Sequence, residues 1–301
     1  MLIIGPSYAN SISAAQGVVD GLPHWRIFQN RLLGPWMVEA LSGLFGDYTS
    51  AHVFYTILTT ALAGWLIWAL TYRRFGPSAA LSAFFVFHVL FTFLLSNIWL
   101  YAWDHLGIIV FTIFTYLVIS ERRWPWFVGL FSVAIFNRES ALFIAMWMVV
   151  DPLAKAALDR AKPQWPMLLA GLACGGIGYE LVNWLREVLL VKEIGPALFN
   201  MPLKAGQNFH NQWGMNLAFL RRVTTDFSLG FEILIIVYLL AVMTLAALLA
   251  WGDTRRYLGL AVIQGVIVLS LLIVAILEET RVLLELLPFL AMGIWAIGRR
   301  A

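Results

Sequence analysis

The sequence predicts an all-α fold, a polytopic transmembrane helical bundle, and three observations carry that prediction. Of its 301 residues, 61% are hydrophobic and only 12% charged, and the mean hydropathy is +0.82. Apolar runs of about 20 residues, the length that crosses a bilayer, recur along the chain. The arginine pairs abut those runs instead of gathering on one soluble face. The net charge of +3 therefore reads as a topology signal, and no nucleic-acid partner is expected.

Residues 1–50 contain no spanning run, because Leu2 to Ile4 is too short and Asp20, Arg26, Arg31, Glu39 and Asp47 interrupt the rest. No signal peptide is evident. Residues 32–45 predict a short amphipathic helix lying in the interface. This segment is read as extracytoplasmic, and 51–301 as the helical bundle.

About seven full spans follow, at 51–72, 78–100, 102–120, 166–190, 228–251, 257–277 and a short one at 282–298. Arg73-Arg74, Arg122-Arg123, Arg255-Arg256 and Arg299-Arg300 flank spans, and Lys155, Arg160 and Lys162 occupy the 152–163 loop. Placed together in the cytoplasm, these clusters put residues 1–50 outside and the C-terminus inside. The outer loop 191–227 carries a polar and aromatic patch from Gln207 to Trp213, and a loop that long in a compact protein usually has a task. Cys174 is the one cysteine, which excludes an internal disulfide and reads as a packing residue. Gly171 and Gly175, in small-xxx-small spacing, predict close helix contact.

The stretch from Trp124 to Asp151 is anomalous, since Asn137, Arg138, Glu139 and Ser140 interrupt an otherwise apolar run. An ionised side chain at mid-bilayer costs roughly 2.5–3.5 kcal/mol even on the lenient insertion scale, so the pair must face protein or water. Both flanks are basic and expected inside, and two halves of 11 to 13 residues are short for full crossings. The economical solution is a re-entrant helical hairpin over 124–151 with Asn137 to Ser140 at its tip. The rival reading is one long tilted helix.

Acids and arginines gather on the expected outer side. They comprise Asp20, His24 and Arg31 in the N-terminal segment, Asp104 and His105 at the start of a span, Arg138 and Glu139 at the hairpin tip, and Glu278, Glu279, Arg281 and Glu285 around the last span. Arginine's planar fork binds phosphate through paired hydrogen bonds, and a nearby carboxylate can serve as a base. Helical spacing offers a plainer account of one group, with Glu278 and Glu285 pairing Arg281 at three and four residues. Tyr101 and Trp103 are compatible with an interfacial belt. Glu180, Asn183, Arg186 and Glu187 form a polar stripe that either faces the same cavity or pairs within its helix. His24, His105 and His210 show no metal-ligand spacing.

Three segments carry a family resemblance: Gln29-Asn30-Arg31-Leu32-Leu33-Gly34-Pro35, Asn137-Arg138-Glu139-Ser140-Ala141, and Glu279-Thr280-Arg281 followed by Leu287-Pro288-Phe289. With them the chain resembles bacterial inner-membrane proteins of the GT-C glycosyltransferase superfamily. That resemblance implies a helical bundle around an extracytoplasmic cavity, where a sugar passes from a polyprenyl-phosphate carrier to an acceptor. Asp20 matches the family's activating acid, with Asp104 as second choice. Arg138, Arg281 and Arg31 match the arginines that hold the phosphate, and His24, Glu139, Glu278 and Glu279 are expected to support them. No cofactor is implied, with a divalent metal left open. The family's first outer loop follows a transmembrane helix absent here, so the chain is expected to start late or to use a partner helix; Asp20 also lacks a neighbouring acid. Two rivals stand beside this reading: a non-catalytic membrane subunit of a larger assembly on the same scaffold, and a transporter built around a broken helix pair.

Overall fold

The computed structural model describes residues 8–21, 30–95, 100–188, 212–225, 232–277 and 279–297, and no strand occurs among them. Twelve α-helices follow in order: α1 Tyr8–Val19, α2 Leu33–Phe45, α3 Tyr48–Phe75, α4 Pro77–Leu94, α5 Ala102–Ile119, α6 Trp124–Ala134, α7 Leu142–Asp159, α8 Trp165–Val188, α9 Trp213–Thr225, α10 Ile233–Gly252, α11 Thr254–Val274 and α12 Leu287–Gly293. Short 3-10 turns at Glu139–Ala141, Thr280–Leu286 and Ile294–Ala296 extend α7 and α12. Among the described residues seven helical stretches are long and apolar enough to cross a membrane: α3, α4, α5, Glu139–Asp159, Trp165–Arg186, α10 and α11. The chain is a multi-pass membrane protein.

Local chemistry sets the joints. Gly46 ends α2 in the left-handed region at φ 77°, and Asp47 then caps α3 by accepting the Ser50 N–H at 2.7 Å. Gly76, at φ 91°, is the single residue between α3 and α4, and Pro77 starts the next helix where its missing N–H costs nothing. α2 is the short helix expected before the first span, with Trp36 and Leu44 exposed and Val38 buried.

Two segments form the centre. In α5, 89% of the apolar window is buried inside the bundle, against 33–39% in the other six spanning stretches. Beside it lies 280–296, where Leu283, Leu286, Leu287, Phe289 and Ala291 are all within 1% of full burial. The run expected to span at 282–298 is thus a broken 3-10, α, 3-10 segment enclosed by α4, α5 and α10. Pro288 at the start of α12 interrupts the backbone ladder there.

The bundle has two chemically distinct ends. Asp104 lies in the first turn of α5, while Arg256 of α11 donates to the carbonyl of Ile119 at its last turn, 2.6 Å away. The fifteen residue steps from one to the other rise about 22 Å. Around Ile119 gather Glu121, paired with Arg256 at 3.3 Å, and Asp159, paired with Arg255 at 3.0 Å. Gly259 lies against Asp151, where an added Cβ would stand 2.8 Å from Oδ1. Both flanks of 124–151 therefore reach the first turns of α11, at the basic end. The tip of the same stretch reaches Asp104, at the opposite end. The return arm is longer than the sequence suggested, since α7 continues to Asp159 through Pro152.

α7 and α8 make the closest helix pair. A Cβ on Gly171 would stand 2.9 Å from Met148 Cβ and 3.0 Å from the Ala145 carbonyl, and one on Gly178 would meet Phe131 and Leu142. Gly175 has open space around it. The close face is Gly171 and Gly178, two turns apart, in place of the expected Gly171 and Gly175.

Candidate functional site

The turn between α6 and α7 is pinned from two sides. The N–H groups of Leu32 and Leu33 both donate to the Phe136 carbonyl, at 2.8 and 3.0 Å, and Asn137 Nδ2 donates to the Trp103 carbonyl at 2.9 Å. Gly34 lets α2 approach the start of α5, since a Cβ there would stand 2.8 Å from the carbonyl carbon of Ala102. These contacts draw together the segment before α2, the start of α5 and the α6–α7 turn, the parts of the chain in which sequence placed Arg31, Asp104, Arg138 and Glu139.

Their side chains meet in an ion cluster. Arg138 Nη1 lies 3.2 Å from Asp104 Oδ1 and 3.2 Å from Glu285 Oε1. Asp104 Oδ2 accepts the Tyr101 N–H at 3.0 Å and lies 3.5 Å from Arg281 Nη1, and Arg281 Nη2 reaches Glu279 at 2.5 Å. Ser140 donates to Glu285 at 2.7 Å. Adjacent in sequence, Glu139 gathers Arg31 at 3.5 Å, Arg186 at 3.6 Å and the Asn30 amide at 3.0 Å. Four arginines thus face four carboxylates, and the described cluster is formally neutral. Burial pushes the Arg31 guanidinium down to about 10, against the pull of Glu139; it stays cationic at neutral pH.

Aromatic faces complete the floor. Tyr101 and Trp103 stack at 4.6 Å and are almost fully buried. The Arg281 guanidinium lies 4.5 Å from the Tyr101 ring centre and Arg31 5.2 Å from that of Trp103, within cation–π range. These rings support the arginines and are not interfacial anchors. Exposed tryptophans, the residues suited to an interfacial belt, lie elsewhere, with Trp68, Trp124, Trp165 and Trp251 toward the basic end and Trp36, Trp184 and Trp213 toward the other.

The site residues expected from sequence divide cleanly. Arg31, Asp104, Arg138, Glu139, Glu279 and Arg281 converge. Asp20 is exposed at the end of α1 and takes part in none of the described ion pairs. His24 and Glu278 lie outside the described residues, as does His210. His105 is buried beside Asp104 and meets Thr60 at 3.2 Å, away from the ion pairs. The intrahelical pairing of Arg281 with Glu285 does not occur: 280–286 winds as a 3-10 helix, and four residues no longer return to one face. Arg186, placed by sequence in a polar stripe of open direction, belongs to the cluster. Its charge in the last turn of a span was the available signal. Asn30, Ser140 and Glu285 join through contacts more than 100 residues long in sequence. Among the described residues no group of three or more His, Cys, Asp or Glu could hold a metal ion.

Exposure ranks the cluster chemically. Asp104 is 2% exposed with both oxygens engaged, so it orients Arg138 and Arg281. Glu279 and Glu139 are the open carboxylates, with side chains 39% and 28% exposed. The ion pairs Arg281–Glu279 and Arg186–Glu139 are therefore the edges at which an arriving anion could displace a carboxylate from an arginine. Comparison with known proteins brings no relative: no family model, curated protein or solved structure matches the chain.

Proposed function

We propose that the protein is a bacterial inner-membrane glycosyltransferase of the GT-C type, which takes a sugar from a polyprenyl-phosphate carrier at the end of the bundle that carries the ion cluster. The observation that supports this most is the convergence of Arg31, Arg138, Arg186 and Arg281 from four separate parts of the chain. Such forks suit a departing lipid phosphate, whose charge grows as the sugar leaves. The acceptor oxygen bonds to the anomeric carbon as the bond from that carbon to the phosphate oxygen breaks. The phosphate keeps the electron pair, and the acceptor proton goes to a carboxylate. Of the two acids the family pattern offers for that last role, Asp104 is at the cluster and Asp20 is not; Glu139 and Glu279 are the carboxylates with room for an acceptor.

In this reading the basic end faces the cytoplasm, and 124–151 enters from that side as a re-entrant hairpin. The eleven residues of α6 cover about 16 Å, short of a hydrocarbon core of about 30 Å.

The test uses the purified protein in nanodiscs with polyprenyl phosphate and, as control, the matching polyprenol. Preferential binding of the phosphate is expected, weakened about tenfold or more by Arg186→Ala. Among the described residues Arg186 pairs with Glu139 alone, and Glu139 keeps Arg31 and Asn30, so this variant folds. Equal binding of phosphate and alcohol overturns the proposal. Asp104's full engagement and Asp20's absence from the described ion pairs favour a second reading, a non-catalytic subunit on the same scaffold. Phosphate binding without sugar transfer from any supplied carrier decides for it.

A further inference from the structure

α8 turns its least usual face away from the bundle. Leu169, Leu172, Ala173, Gly176, Ile177, Glu180 and Trp184 are exposed along one stripe, at spacings of three and four residues. α8 is also the least apolar of the seven spanning stretches, although only a third of its apolar window is covered by the rest of the fold. At the stripe's centre Ala173 and Gly176 leave the helix surface low, and nothing stands within 4 Å of a Cβ built on Gly176.

Glu180 decides what that surface is for. It lies six residues before Arg186, the residue that pairs with Glu139 in the ion cluster, and so about 9 Å deeper along the helix axis. From Trp165 at the basic end it is about 22 Å away. Both measures put it inside the apolar zone, on the outward side, and among the described residues no hydrogen bond or ion pair reaches it. An ionised carboxylate facing lipid at that depth is costly and calls for a partner.

We propose that this face of α8 docks a spanning helix of another membrane protein that carries a lysine or arginine at the depth of Glu180. The small residues at 173 and 176 permit the close approach that membrane helices use, and the unpaired carboxylate supplies the charge complementarity. A second copy of this chain fits poorly, because a two-fold contact through α8 would bring Glu180 against its own equivalent. The proposal stands independently of the glycosyltransferase reading.

The test places a photo-crosslinking benzophenone side chain at Ala173 of the full chain in its native membrane, with the adduct sequenced by mass spectrometry. The expected adduct is a peptide from an apolar segment of a different membrane protein with a Lys or Arg within one helical turn. Its yield should fall at least about tenfold with Glu180→Lys and return when the partner's basic residue is exchanged for Glu. Among the described residues Glu180 makes no hydrogen bond or ion pair, so the variant stays folded, which monodisperse elution verifies. Adducts only with lipid, with a second copy or with residues 189–211 of the same chain overturn the proposal, as does a yield indifferent to Glu180→Lys.

Discussion

Arg138 and Asp104 stand 34 residues apart in the sequence and meet at 3.2 Å across the top of α5. The same guanidinium nitrogen holds Glu285 at 3.2 Å, so one arginine lies between two carboxylates that are each at least 95% buried. Removing it leaves Glu285 with the Ser140 hydroxyl alone and Asp104 with Arg281 and the Tyr101 N–H. Arg138→Ala is expected to cost about 3–5 kcal/mol, read as a large loss of thermal stability in detergent. Adding Asp104→Asn should recover part of that loss, because three arginines then face three carboxylates again. Independent, additive effects of the two substitutions would show that the pair is not coupled.

The α7–α8 contact gives a sharper steric prediction. At Gly171 the added methyl meets a Cβ and a backbone carbonyl, neither of which can swing away, so Gly171→Ala should cost about 1–3 kcal/mol. At Gly175 the methyl enters open space, and Gly175→Ala should be neutral or mildly stabilising. Melting of the two variants side by side checks this. Equal effects would place the helix contact elsewhere.

How much of this was legible in the sequence depends on what each feature answers to. Six apolar runs became six spanning helices because length and hydropathy alone decide whether a helix can live in lipid. The position of α5 at the centre was not legible, since a helix that is apolar all round reads the same facing lipid or protein. The convergence of Arg31, Asp104, Arg138 and Arg281 was expected from their shared outer side and the family resemblance, and for Arg138 also from the cost of idle charge at depth. Their actual partners were not, because 3-10 winding at 280–286 and the link from Leu32 and Leu33 to Phe136 set the register, and neither leaves a periodic trace. The second ion cluster, where Arg255 and Arg256 bridge Asp159 and Glu121, was read only as a topology signal.

Asp47 supplies a pH dependence. Its carboxylate sits below the ordinary range because the backbone N–H of Ser50 donates to it. A depressed folded value means the cap contributes fully above the unfolded pKa of about 4 and is lost as pH falls through the folded value. The stability gap between the natural protein and Asp47→Ala should therefore shrink as the pH is lowered from neutral into that acid window. Asp47→Asn, which caps without titrating, should show no such approach. Melting temperatures of the three proteins across that range test it, and a gap that stays constant with pH refutes the assignment.

The two flanks of the α6–α7 stretch provide the test of how that stretch meets the membrane. Glu121 pairs with Arg256 and Asp159 pairs with Arg255, two consecutive residues of α11, so both flanks share one end of the bundle. Asp47 sits at the other end, about two turns before Tyr55, whose hydroxyl donates to the Ala102 carbonyl at the start of α5. Single cysteines are placed at 121, 156 and 47 in a background with Cys174→Ala and treated with a membrane-impermeant thiol reagent in sealed, oriented vesicles. Residues 121 and 156 should label from one side and residue 47 from the other. A single helix crossing once over 124–151 would separate 121 from 156, and no tilt of that helix could bring them back together. Labelling of those two positions from opposite sides would therefore remove the hairpin, and with it the placement of Arg138 as a tip held between α5 and the central 280–296 segment.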